Sequence, residues 1–245
     1  MMIADMWTIM WKEIKELLTQ RGKFRGGGVG MLIFIGVFGI FMPLQFGRGW
    51  VDSPAGLVYW AWVPFLLVSS VIADSFAGER ERHTLETLLA SRLSDKSILF
   101  GKVVAAIAYG WGFTLFSMLL GLITVNIVYG KGQLLMYPAA IGLGILILSF
   151  LVAGLAATLG VLVSLRASTV RQAQQTFSVA FFILFVPLFL LPMLPAAWLA
   201  RVGQFLTAAN VEAIAAGIAV LLLILDSGLL AIAMARFKRA RLILD

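Results

Sequence analysis

The chain has no cysteine, one histidine, and charged side chains at only 13% of its 245 residues. Each shortage closes a class of function. Without cysteine there is no disulfide, no thiolate metal ligand and no Cys nucleophile. With His83 as the lone imidazole, no His/Cys metal cluster can be assembled, so no metal site is expected. A Ser-His hydrolase would need a nucleophile motif beside that histidine, and none occurs there. No phosphate-binding loop is present: Gly101-Lys102 is followed by Val103 and lacks the preceding glycine. No cleavable signal peptide is expected at the N-terminus, and no internal repeat is visible in parallel or inverted sense.

What the chain has in excess is apolar surface. Hydrophobic residues make up 61%, and mean hydropathy is +1.00. The excess is arranged in blocks long enough to cross the roughly 30 Å hydrocarbon core as helices. Backbone groups in lipid must bond within the segment, and the alternating pattern of a barrel is absent. The sequence therefore predicts an all-α polytopic membrane protein. Six spans are expected, at about 29–46, 55–76, 100–128, 138–164, 176–194 and 212–235. Ser94 reads as the N-cap of the third helix, with Asp95 in its first turn. Gly142, Gly154, Ala157 and Gly160 should let the fourth span approach its neighbours closely. Pro187, Pro192 and Pro195 should break the outer end of the fifth, and 195–210 reads as a short re-entrant or interfacial segment.

Orientation follows from lysine and arginine. Sixteen of the nineteen fall on one side: at 12–25, at 80–102, at Arg166 and Arg171, and at 236–241. Only Arg48, Lys131 and Arg201 fall on the other. Positive-inside bias then puts both termini and the 77–99 loop in the cytoplasm. It also accounts for the net charge of +7, so nucleic-acid binding loses its motivation. Trp50, Tyr59, Trp60, Tyr129, Tyr137 and Trp198 are expected near the outer ends as an aromatic belt.

Residues 1–28 read as an amphipathic helix and a basic turn. Trp7, Met10, Trp11, Ile14, Leu17 and Leu18 recur at helical spacing, with Asp5, Lys12, Glu13, Lys15 and Glu16 on the other face. Tryptophans flanked by Lys12 and Lys15 suit a helix lying in the headgroup plane of the bilayer. A helix packed on a partner protein is the alternative. Arg21, Lys23, Arg25 and Gly26-Gly27-Gly28 follow as the turn.

The most polar stretch is Gly78-Glu79-Arg80-Glu81-Arg82-His83-Thr84-Leu85-Glu86-Thr87-Leu88-Leu89, between the second and third spans. Thr84 can cap a short helix, Glu86 lies in its first turn, and Leu85, Leu88 and Leu89 form an apolar edge. Such a helix offers charges to fix a partner's register and leucines to fill a groove. An ordinary solvated loop is the plainer reading of the same pattern. Phe76 to Leu89, followed by Ser94 to Lys102, resembles the hallmark of type-2 ATP-binding-cassette (ABC) exporter permeases. There an E-R-E-x-G-T-L-E-x-L-L segment follows the second span and a Gly-Lys pair opens the third. Glu79, Arg80, Glu81, Thr84, Leu85, Glu86, Leu88 and Leu89 match; His83 stands where the family usually has Gly.

The resemblance implies one transmembrane domain over 1–245, in the cytoplasmic membrane of a prokaryote. It implies a dimer of such subunits, homodimer or related heterodimer, enclosing a pathway. It implies two copies of a separate ATPase subunit, carrying ATP and Mg, that dock on the loop helix and on the N-terminal helix. This chain is then not an enzyme and holds no cofactor of its own. Asp226, deep in the sixth span, is expensive to leave charged. It either serves the pathway or dimer interface, or makes a structural hydrogen bond with help from Ser227. Asp74 is expected to anchor the loop through Arg80 or Lys102. Thr114, Ser117, Thr124 and Asn126 are candidates to line a pathway. Gln172, Gln174 and Gln175, with Arg166 and Arg171, read as a wet turn or an ATPase contact. A stand-alone ion-coupled carrier or channel using Asp226, and a scaffold recruiting a cytoplasmic protein, remain the competing functions.

Overall fold

The structure, a computed structural model, describes residues 2–21, 29–190, 193, 195–198, 201 and 211–237. Among the described residues there is no strand. The helices are α1 (Met2–Arg21), α2 (Val29–Gly36), a π-helical turn (Val37–Phe41), α3 (Met42–Phe46), α4 (Gly49–Asp52), α5 (Ala55–Glu81), α6 (Leu85–Leu89), α7 (Asp95–Tyr129), α8 (Ala139–Arg166), α9 (Val170–Leu190) and α10 (Val211–Arg236). Among the described residues, four helices are long and apolar enough to cross a membrane: α5, α7, α8 and α10, the last counted from Glu212. The first predicted span is a shorter apolar stretch, Gly30–Phe46, interrupted by the π turn.

The start of α7 is as expected. Ser94 is extended, and its Oγ accepts from the Ser97 N–H at 3.1 Å. α9 begins at Val170, six residues before the predicted span, and its helix runs through Pro187 to Leu190. Pro192 and most of 195–210 lie outside the described residues, as do the 22–28 turn and Lys238, Arg239 and Arg241. Within 195–198 and 201, Trp198 is exposed and the Arg201 guanidinium lies 5.8 Å from its ring centroid.

α8 is the centre of the packing, lying against α5, α7, α9 and α10. Its span is 67% buried, against 6% for α10. Lipid is as apolar as leucine, so helices in a bilayer associate where small residues let backbones approach. α8 presents such residues: Ala153, Ala156 and Ala157 are fully buried, and a Cβ at Gly160 would collide with Ile72 of α5. α10 carries large exposed residues instead, including Leu221, Leu223 and Ile224.

Trp50 and Trp60 are not a lipid-facing belt in this chain. They are 2% and 0% exposed, and pack edge to face at 5.6 Å with Tyr59, Phe46 and Phe38 around them. The cause is local: α4 folds back over the start of α5, turning Trp50 inward onto Gly121 of α7.

Candidate functional site

The polar segment begins as the last turn of α5, not as a loop. Helix continues to Glu81, and the reversal comes at Arg82 and His83. His83 has φ +56°, the left-handed region that glycine enters freely and histidine enters more readily than most residues. It thus adopts the backbone that glycine would supply at that position of the motif. Thr84 occupies the N-cap position of α6, but its side chain does not cap; Thr84 N–H and Oγ1 both donate to the Glu79 carbonyl, at 2.8 and 3.3 Å. The turn is therefore closed onto α5 rather than onto α6.

The charges before the turn point inward. Lys102, from the first turns of α7, is buried, and all three ammonium protons have acceptors. They are Glu13 Oε1 of α1 at 2.8 Å, the Ser75 carbonyl at 2.9 Å and Glu79 Oε1 at 3.0 Å. The Phe76 ring centroid lies 5.2 Å from the same ammonium. Lys12 of α1 approaches Glu79 to 3.8 Å and Glu16 to 3.6 Å, so two lysines balance Glu13 and Glu79. A buried charge is tolerated only when paired and hydrogen-bonded, and this cluster meets that condition by joining α1, α5 and α7. Glu79 Oε2 and Ser75 Oγ have no protein partner among the described residues, and both residues border a cavity of about 30 Å³, room for one water.

Gly101 explains why α1 reaches the cluster. A Cβ there would stand 2.8 Å from Ile9 Cβ, so the glycine admits α1 against α7 and Lys102 then reaches Glu13. The buried face of α1 is Ile9, Glu13 and Leu17, one helical stripe. Trp7 and Trp11, each 61% exposed, point away with Ile3 on a second stripe; Lys12 and Lys15 are exposed between. Of the predicted apolar face, Leu17 packs on the core while Trp7 and Trp11 stay outside. Ile9, which is not part of that predicted face, and Glu13, expected on the polar one, face the protein instead.

The remaining charges of the motif bind helix ends. Arg80 donates to the Ala167 and Leu165 carbonyls at the C-terminus of α8, where a cation complements the helix dipole. Glu81 Oε2 accepts from the Val170 N–H, the first residue of α9, at 3.1 Å. Asp74 pairs with Arg82 at 3.2 Å, not with Arg80 or Lys102 as the sequence suggested, because those two are committed elsewhere. Ser164 of α8 donates to the Ala73 carbonyl and accepts from the Phe76 and Ala77 N–H groups, binding α8 to the same turn of α5.

What α6 leaves outside is short. Leu85 is 6% exposed in the main core, and Leu88 packs against that core; the Leu89 side chain lies outside the described residues. His83, Thr84, Glu86 and Thr87 are exposed, with Arg82 before them and Arg92 and Lys96 after.

The other candidates are dispersed. Thr114 and Ser117 are fully buried; Thr114 Oγ1 donates to the Gly110 carbonyl. Thr124 donates to Gly39 and Leu120 carbonyls. Asn126 exchanges two bonds with Leu135, at 2.7 and 2.8 Å, so its amide holds the 130–138 connection to α7. Asp226 faces Gly154 of α8, with Oδ1 lacking a partner among the described residues. Ser227 does not assist it; its hydroxyl donates to the Leu223 carbonyl. Gln172 Oε1 accepts from the Ser168 N–H and hydroxyl, making an ordinary capped start to α9.

Sequence reasoning missed Glu13, Ser75 and Ser164. The available signal was Lys102 itself, a lysine directly after glycine at the edge of an apolar run, which required a carboxylate from a neighbouring helix.

Comparison with known proteins accords with this architecture. Residues 48–211 match the family described as ABC-2 family transporter protein, and the chain belongs to that family. It is a multi-pass membrane protein and the permease component of an ABC transporter, a class that works with an ABC ATPase subunit. No curated protein matches the chain.

Proposed function

We propose that this chain is the membrane-spanning subunit of an ABC exporter, in the cytoplasmic membrane of a prokaryote with both termini inside. It forms its pathway as a dimer, homomeric or with a related permease. Two copies of a separate ATPase, which carries ATP and Mg, dock on the exposed face of α6 and on α1. The apolar 30–46 stretch and α9 complete six spans with α5, α7, α8 and α10.

The observation that carries this reading is the convergence at Lys102. α6 is an extension of α5 by a closed turn, and α5 is ion-paired to both α1 and α7 there. A push on α6 or α1 is thereby delivered to the ends of two long helices together. Exposed Glu86 and Thr87 give a partner something to grip, while the buried pairs make the grip rigid.

Charge reversal Glu86→Lys tests this. It should leave the chain folded and inserted while lowering co-purification of the ATPase, or its substrate stimulation, by about tenfold, the loss of one well-placed charge contact. Unchanged co-purification and stimulation would contradict docking at α6. Transport by the purified chain in liposomes without any ATPase would instead favour the carrier reading.

A further inference from the structure

One cavity is separate from the Lys102 cluster and has a chemistry of its own. It lies where α8 and α10 end and α9 begins, has a volume of about 450 Å³, and is lined by Arg166, Arg236, Gln172 and Thr176 at its polar rim. Leu159, Leu162, Val163 and Ile232 form its inner wall. We propose that this pocket binds the headgroup phosphate of an anionic phospholipid, with an acyl chain lying along Leu159 and Ile232.

Charge comes first. Arg166 and Arg236 are the last residues of their helices, and neither has an ion-pair partner among the described residues. Among the described residues, no carboxylate lines the cavity. Glu81, the acidic group at the start of α9, is engaged by the Val170 N–H. Gln172 has its Oε1 occupied by Ser168, leaving its amide nitrogen as a donor. The start of α9 is already capped by Glu81, Thr169 and Gln172, so the guanidinium groups carry the attraction, not the helix end. Guanidinium groups match phosphate oxygens in geometry as well as charge.

The inner wall decides between lipid and a free anion. Leu159 lies seven residues before Arg166, about two turns or roughly 10 Å deeper along α8. The four aliphatic side chains, from about one to two turns deeper than the arginines, have nothing to offer inorganic phosphate. They suit an acyl chain, and they continue into the exposed apolar face of α10 at Ile232. Basic pockets between helices on the cytoplasmic side are where anionic headgroups bind.

The proposal rests on reading these helix ends as cytoplasmic. Labelling of Ser168→Cys from outside the cell would overturn that orientation without touching the binding result, so the two failures are separable.

Native mass spectrometry of the full chain in detergent tests the pocket, with phosphatidylglycerol, phosphatidylcholine and inorganic phosphate as probes. Wild type should retain phosphatidylglycerol about thirtyfold better than Arg166→Gln/Arg236→Gln, at roughly 1 kcal/mol for each basic residue. Phosphatidylcholine should bind more weakly and equally to both. Arg48→Gln/Lys131→Gln, altered at the opposite end, should behave as wild type. If the double variant fails to survive extraction, Arg236→Gln alone should lose about fivefold. Equal phosphatidylglycerol binding by wild type and variant would overturn the proposal. So would displacement of the lipid by millimolar phosphate, or loss of ATPase co-purification with lipid adducts unchanged.

Discussion

The two ends of α5 are held by opposite chemistry. At its start, Trp50, Tyr59, Trp60, Phe46 and Phe38 form an aromatic stack with no charged member. At its finish, Lys102, Glu79 and Glu13 form a buried ion cluster with exposed Lys12 at its edge, next to Arg80 and Glu81 at two further helix ends. An aromatic stack fixes shape and responds little to a partner's charge. An ion cluster is directional, joins elements distant in sequence, and transmits a displacement of any one of them. A permease driven from one side needs the second kind of joint only on that side.

The comparison can be broken at either end. Lys102→Ala should have the largest effect, because it leaves Glu79 and Glu13 buried without their cation. Removing one partner of a buried pair costs about 3–5 kcal/mol, read as a large drop in thermal midpoint in detergent and loss of α1 docking. Trp60→Ala should cost about 3–5 kcal/mol through cavity formation, but with the interaction of α1 and α7 intact. If the two variants lose the same contacts in protease protection, the ends are not independent. Gly101→Ala should follow at about 1–3 kcal/mol, since Ile9 and α1 must shift to admit the methyl. Equal α1 protection in Gly101→Ala and wild type would show that close approach is dispensable.

Smaller effects sharpen the account of the turn. His83→Gly should be neutral or stabilising by up to about 1 kcal/mol, because the left-handed backbone carries no penalty in glycine. A loss of ATPase coupling in that variant, with stability unchanged, would give the imidazole a contact role instead. Glu86→Lys should move stability by no more than about 0.5 kcal/mol, as for an exposed site, while its effect on coupling is large. Glu79→Lys, by contrast, should act mainly through folding.

That last contrast is where sequence and structure part. The periodicity of apolar blocks located helix within each predicted span among the described residues, four of them long and apolar enough to cross a membrane, because length and hydropathy leave few alternatives. The Ser94 cap was legible because capping is local. The motif itself was legible as a site, but its interior was not. Glu79, Arg80 and Glu81 look like docking charges when read linearly, yet they bind Lys102, the α8 end and the α9 start, which lie 23, 85–87 and 89 residues along the chain. Sequence spacing carries no record of such pairings. Trp50 and Trp60 were misread for the same reason, since only the fold-back of α4 turns them inward. Asn126 looked like a pathway group, and the loop it binds at Leu135 accounts for its amide.

The most direct test uses the absence of cysteine. Thr87→Cys would supply the chain's only thiol on the exposed face of α6, and Leu134→Cys the same on the opposite end of α7. With a thiol-to-amine cross-linker and the co-expressed ATPase, the account predicts a cross-linked species from Thr87→Cys alone, increasing or decreasing with bound nucleotide. Cross-linking from Leu134→Cys, with none from Thr87→Cys, would contradict it.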